Sequence, residues 1–238
     1  MTPSFRDRLH ATLRAIRPVL EVPGVLVVGS QVPNLLEPNA ASTLVVSLDV
    51  DVAVPVSQCA AVKTALRRLR DFVQSSDEPS VYCATDPELL ELNLLGMDPL
   101  MDDPESARVD GDPEVPLLVF GSLGRLRPGE PVHLGEPNAI DVPLPRLEDL
   151  LIEKLLTDRS GVKGDRDLLV AMGLLQLARP ASLDGAIRSV RALRAEHRAT
   201  VQGNLTLLSV LTPHANMPDP LAGRALVADL LRRIRAVS

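Results

Sequence analysis

The chain has 238 residues, is 45% hydrophobic, carries a formal net charge of −6, and holds only 2% aromatics, with no Trp, one Tyr and three Phe. That is ample apolar material for one large domain or two modest ones, with a core made of Leu, Val, Ile and Ala. The balance excludes a protein that coats DNA with an overall basic surface and one that binds nucleic acid mainly through stacking aromatics, while leaving room for a local basic patch.

Cys59 and Cys83 share no Cys-x-x-Cys spacing, and His10, His133, His197 and His214 stand far apart without a helical His partner. The expectation is reduced thiols, no zinc site, and histidines at ordinary surface or cap positions. The start, Met-Thr-Pro-Ser-Phe-Arg-Asp-Arg, is too charged for a signal peptide, and no apolar run reaches the roughly 18 residues of a membrane span. A cytoplasmic protein with no membrane partner is expected.

The first predicted element is a helix. Ser4 and Asp7 have capping-box spacing, and Phe5, Leu9, Leu13, Ile16 and Leu20 recur every three or four residues up to Pro23-Gly24. A short strand, Val25 to Val28, then ends in Gly29-Ser30, where a turn leaves backbone N–H groups free to meet phosphate. A short helix to Leu36 precedes the breaker Glu37-Pro38-Asn39.

From Leu44 the chain alternates, with Leu44, Val46, Leu48, Val50, Val52 and Val54 on one strand face and Ser47, Asp49 and Asp51 on the other. The Cα atoms of Asp49 and Asp51 then lie about 6.6 Å apart, close enough for their carboxylates to converge on one hard cation. Carboxylates for a metal beside a turn for a triphosphate point to metal-dependent transfer of a nucleotidyl or phosphoryl group. The plain alternative is a half-buried strand whose solvent face carries two acids.

Gly29-Ser30 followed by Ser47-Leu48-Asp49-Val50-Asp51 resembles the nucleotidyltransferase fold of the DNA polymerase beta-like superfamily, whose first strand ends in Gly-Ser and whose next carries Asp-x-Asp. The resemblance implies an α+β fold with a mixed sheet, Mg²⁺ on Asp49 and Asp51, and Gly29 and Ser30 on the triphosphate. It also implies a third carboxylate on a later strand. Glu91 is the candidate for that metal-binding and catalytic position, Asn93 a weak neutral alternative and Asp141 the reserve.

Between these, Ser57 is expected to cap a helix through Val73 with Val62, Leu66, Leu69 and Val73 as its apolar stripe, leaving Arg67, Arg68 and Arg70 on a solvated face. Strands follow over Val81 to Ala84 and Leu89 to Leu94, the latter with Leu90, Leu92 and Leu94 on one face and Glu91 and Asn93 on the other. Met97 to Glu114, rich in Asp, Glu and Pro, is expected to be an acidic loop, and short strands at Leu117 to Phe120, Val132 to Leu134 and Ala139 to Val142 to extend the sheet.

Helices then take over. Pro145 opens one with Leu147, Leu150, Leu151 and Leu155 as its apolar face, and Lys154 and Arg159 are followed by a Gly/Lys turn and Asp165-Arg166-Asp167-Leu168. That arrangement is similar to the nucleotidyltransferases of abortive-infection and toxin–antitoxin systems. It implies Lys154 on the triphosphate and Asp165 as a base or positioning group; Asp165 has the alternative of capping its own helix, and Asp167 or Arg166 of pairing in a salt bridge. Ser182 is expected to cap a helix with Arg188, Arg191, Arg194 and Arg198 on one basic face, the best nucleic-acid candidate in the chain. Two further helices are expected, from Leu205 and from Asp219-Pro220, the last packing on Leu226, Leu230 and Ile234.

The expected organisation is a nucleotidyltransferase-like αβ domain over residues 1–144 and a helical domain over 145–238. The leading function is transfer of a nucleoside monophosphate from a nucleoside triphosphate to a hydroxyl, on an RNA or a protein. The alternative is an inactive module that binds a nucleotide, an RNA or an antitoxin.

Overall fold

A computed structural model describes residues 4–37, 48–101, 103–136, 138–156, 162–211 and 223–236, with the backbone alone at 162–166. Leu44, Val46, Ser47, Arg159 and His214 lie outside the described residues. The chain divides into two compact units, residues 1–32 with 46–145 and residues 33–45 with 146–238. Among the described residues no helix is long and apolar enough to cross a membrane.

The first unit opens with α1 (Phe5–Ala15), held by the expected capping box, in which the Ser4 hydroxyl accepts from the Asp7 N–H and the Asp7 carboxylate accepts from the Ser4 N–H. Pro18 starts a separate short helix, α2 (Arg17–Leu20), so the single predicted helix is split. Leu9, Leu13, Ile16 and Leu20 of the apolar stripe are buried, with Leu13 and Ile16 at 0% exposure, and Phe5 is half-buried. Next in the chain come β1 (Leu26–Val28), α3 (Gln31–Leu36), of which only Gln31 and Val32 belong to the first unit, and β2 (Asp49–Pro55). The helix expected through Val73 is a 3-10 turn at Val56–Gln58 followed by α4 (Cys59–Leu66). Phe72 and Val73 instead enter β3 (Phe72–Gln74), whose ladder with Ala84 and Cys83 overrides the local helical pattern.

Then follow β4 (Val81–Ala84), β5 (Glu91–Met97), β6 (Ala107–Asp112) and β7 (Val115–Phe120), completing a seven-stranded mixed sheet. β2 runs antiparallel to β1 and parallel to β5. The other edge of β5 is shared: Leu92 and Asn93 pair with β4, Leu95 and Gly96 with β7. Alternation buries Val50, Val52, Val54, Leu92 and Leu94 completely, whereas Leu48 is exposed.

The stretch expected to be an acidic loop holds β6 and the tight turn into β7. Four of its acids are tied to cations: Asp112 and Glu114 lie 2.9 and 3.1 Å from Lys63 Nζ, and Asp98 and Asp110 lie 2.6 and 2.8 Å from Arg108. Arg67 is likewise engaged, 3.0 Å from Glu114. β8 (Val132–Leu134) and β9 (Ile140–Val142) pair with each other in a separate two-stranded sheet rather than extending the large one.

The second unit is helical: α5 (Leu147–Leu156), α6 (Val162–Leu177), α7 (Pro180–Arg191), α8 (Ala195–Val210) and α9 (Arg224–Arg235). α5 packs against α6, α7 and α8, and its Leu150, Leu151 and Leu155 are fully buried. α7 starts at Pro180, with Arg179 rather than Ser182 at its cap position. Leu230 and Ile234 pack inward on α9 as expected, but Leu226 is 38% exposed and Val227 takes its place in the stripe. His197 is buried within α8, in neither the surface nor the cap position expected of it.

Candidate active site

Of the residues expected at the site, three neighbouring strands of the first unit, β1, β2 and β5, place Gly29-Ser30, Asp49, Asp51, Glu91 and Asn93 side by side. Antiparallel pairing sets Val28 opposite Asp51, so the Gly29-Ser30 turn leaves β1 beside that carboxylate. Gly29 has φ +75°, a conformation that lets the chain turn sharply into α3 and that L side chains rarely adopt. A Cβ there would stand 2.3 Å from Asp51 Oδ2, so the backbone at Gly29 closely approaches the acid. Gln31, fully buried at the start of α3, donates from Nε2 to the Asp49 carbonyl at 2.9 Å and ties the turn to the other end of the Asp-x-Asp segment. Sequence reasoning missed Gln31; its place just after Gly-Ser, with no apolar role, was the available signal.

Asp49 and Asp51 are both half-buried and share one face of β2, on the opposite face from Val50, Val52 and Val54. The parallel register sets Glu91 across from Asp49 and Asn93 across from Asp51. Asn93 Nδ2 donates to Asp51 Oδ1 at 2.9 Å. Glu91 is exposed, its N–H bonded to the Leu48 carbonyl at 3.0 Å. The residue held against Asp51 is therefore the neutral Asn93. Asp141 sits on the small sheet, its carboxylate 2.9 Å from His133 Nδ1, with both side chains about two-thirds exposed (67% for His133 and 69% for Asp141).

Among the described residues no three His, Cys, Asp or Glu side chains gather as a metal-holding group. Asp49 and Asp51 supply two carboxylates, and Mg²⁺ is commonly held by one or two carboxylates with phosphate oxygens and water completing its shell. The donor set therefore fits one Mg²⁺ carried with a polyphosphate.

Lys154 and Asp165 belong to the second unit. Lys154 Nζ lies 3.1 Å from Glu153 Oε2 and 3.4 Å from Asp167 Oδ1, with Lys154, Glu153 and Asp167 side chains 13%, 6% and 18% exposed. The Lys154 charge is thus compensated by two acids, one of them the Asp167 expected to form a salt bridge. Asp165 lies inside the first turn of α6 rather than at its cap, because the helix already begins at Val162 within the expected Gly/Lys turn. Its side chain lies outside the described residues.

Among solved structures the chain is similar to an antigenic nucleotidyltransferase-like protein from Paracoccidioides brasiliensis, at 17% identity and a TM-score of 0.48, over 82% of this chain and 93% of that chain. No protein-family model and no curated protein matches it.

Proposed function

We propose that the chain is a Mg²⁺-dependent nucleotidyltransferase that moves a nucleoside monophosphate from a nucleoside triphosphate to a hydroxyl of an RNA or a protein. The observation that carries this reading is the contact between the Gly29 turn and Asp51, with Asp49 on the same strand face. A phosphate-receptive turn and a pair of carboxylates become neighbours only because β1 and β2 pair in this register.

Asp49 and Asp51 would hold the ion, which when bound neutralises phosphate charge. Gly29 and Ser30 would orient the triphosphate, and Asn93, by its hydrogen bond, fixes the rotamer of Asp51. In the transfer the acceptor hydroxyl oxygen would bond to the α-phosphorus as the bond to the pyrophosphate oxygen breaks, its proton passing to a base, the role implied for Asp165. The roles implied for Lys154, on the triphosphate, and Asp165, as a base or positioning group, are tested by Lys154→Gln and Asp165→Asn in the same assay.

The experiment is label transfer from each of the four α-³²P nucleoside triphosphates, with Mg²⁺, into a total RNA and protein extract. A labelled RNA or protein band that vanishes with Asp49→Asn and with Asp51→Asn is expected. Retained labelling by either folded variant removes the assignment.

Asn93 favours a second reading, because it places a neutral amide where a third carboxylate would complete the metal site. The chain would then be a cytoplasmic module that binds a nucleotide, an RNA or an antitoxin without turnover. Nucleotide binding in calorimetry that is indifferent to Mg²⁺, with no pyrophosphate released on any acceptor, selects this reading.

A further inference from the structure

The four arginines expected on one helical face are not on one helix. Arg188 and Arg191 lie in the last turn of α7, but Arg194 is the residue before α8, and Arg198 turns back to donate to the Leu193 carbonyl at 2.6 Å. Packing supplies two replacements. Arg232 and Arg233, from the last turn of α9, meet Arg188 and Arg191 across a groove of about 440 Å³.

The groove, wholly within the second unit, sets these four arginines against two acids, Asp184 in its lining and Asp229 beside it on α9, in a chain whose net charge is −6. Arg233 pairs with Asp184, and Arg232 with Asp229 on its own helix. Arg188 and Arg191 are exposed and have no side-chain hydrogen bond or ion pair among the described residues. Helix C-termini favour cations and account for arginine in each last turn, but not for two helices aiming theirs at one groove.

We propose that this groove binds the phosphodiester backbone of a single-stranded nucleic acid. The guanidinium fork matches phosphate oxygens in pairs, and arginines from two helices can grip successive phosphates. The other lining is small and apolar, Ile187 above all, with no aromatic side chain. The groove holds no large apolar pocket for an aromatic anchor, so a protein partner would have to bind through acidic side chains alone, the case that polyaspartate represents in the test below. Backbone binding needs only spaced positive charge and is indifferent to base sequence. As the RNA acceptor site it would deepen the transferase reading, but the binding itself does not depend on catalysis.

The test uses the full chain and a fluorescein-labelled 20-nucleotide RNA of mixed sequence, read by anisotropy between about 50 and 200 mM salt, a range over which phosphate-contact binding changes strongly. With three or four phosphate contacts, log affinity against log salt should fall with a slope of about −2 to −3. Arg188→Gln with Arg191→Gln should lower affinity roughly tenfold and flatten the slope by about 1.4, at an unchanged melting temperature. Asp51→Asn should bind like the wild type, so loss of transfer and loss of binding remain distinguishable. Equal binding of single-stranded DNA means that phosphates alone are read, and a preference for RNA means that the 2′-hydroxyl is read as well; both support the groove. No RNA binding at low salt, an unchanged slope in the double variant, or tighter binding of polyaspartate of equal length overturns it.

Discussion

Asp51 Oδ2 fills the space where a side chain on Gly29 would begin, 2.3 Å from an ideal Cβ. Gly29→Ala therefore meets two obstacles: a methyl against a carboxylate, and an L residue at φ +75°. The backbone strain alone is about 1–2 kcal/mol. The expected result is a lowered melting temperature together with a loss of transfer larger than the fraction unfolded explains, because Asp51 must move. An alanine variant as stable and as active as the wild type would show that the turn and the acid do not act together.

Asn93→Asp places a third carboxylate directly against Asp51. With no divalent cation present, two like charges at hydrogen-bond distance repel, so the variant should melt below the wild type. Mg²⁺ should reverse the order, since a ligand at about 100 times its Kd stabilises by about 2.7 kcal/mol and the third acid raises affinity. Differential scanning fluorimetry with and without Mg²⁺ measures both terms. If Mg²⁺ shifts wild type and variant equally, Asn93 does not face a cation site.

The pairing of Asp49 with Asp51 on one face was legible because strand periodicity is a local property, and so was the capping box at Ser4. Whether Glu91 or Asn93 would meet Asp51 was not legible. That depends on the register of β2 with β5, which residues far apart in the chain set together. The overlong helix at Val73 failed for a related reason, since β3 exists only through its ladder with β4. The basic groove was not legible because α7 and α9, which supply its arginines, are separated in sequence by the whole of α8 and meet only through packing.

Thr12, fully buried on α1, donates its hydroxyl to the Arg8 carbonyl at 2.8 Å and accepts from the Leu90 N–H at 2.8 Å. One side chain thus joins the first helix to the entry of β5, the strand that carries Asn93. Thr12→Val keeps the shape and strands the Leu90 N–H, a loss of about 1–3 kcal/mol. For a chain of this size that is a fall of about 2–4 °C per kcal/mol. Thr12→Ser retains both bonds and should recover most of the loss. Equal melting of valine and serine variants would show that water replaces the hydroxyl.

His10 lies half-buried on α1, and burial holds its pKa below the ordinary value of 6.5, reinforced by Arg6 and Arg14 on either side and opposed by Asp7. The folded state therefore binds this proton less readily than the unfolded chain. Near pH 8 the imidazole is neutral in both states and has no effect. As pH falls through the unfolded value, the unfolded chain takes up a proton that the folded one refuses, and stability drops until the folded group also titrates. Wild type should lose melting temperature between about pH 7 and pH 5, and His10→Gln should flatten that slope. Asp7, whose pKa is lowered by its bonds to Ser4, acts in a different window: its contribution is present above the usual carboxylate range and is lost only at more acid pH. Melting curves taken at half-unit pH steps separate the two, and an unaltered slope in His10→Gln would assign the acid sensitivity near neutrality to another group.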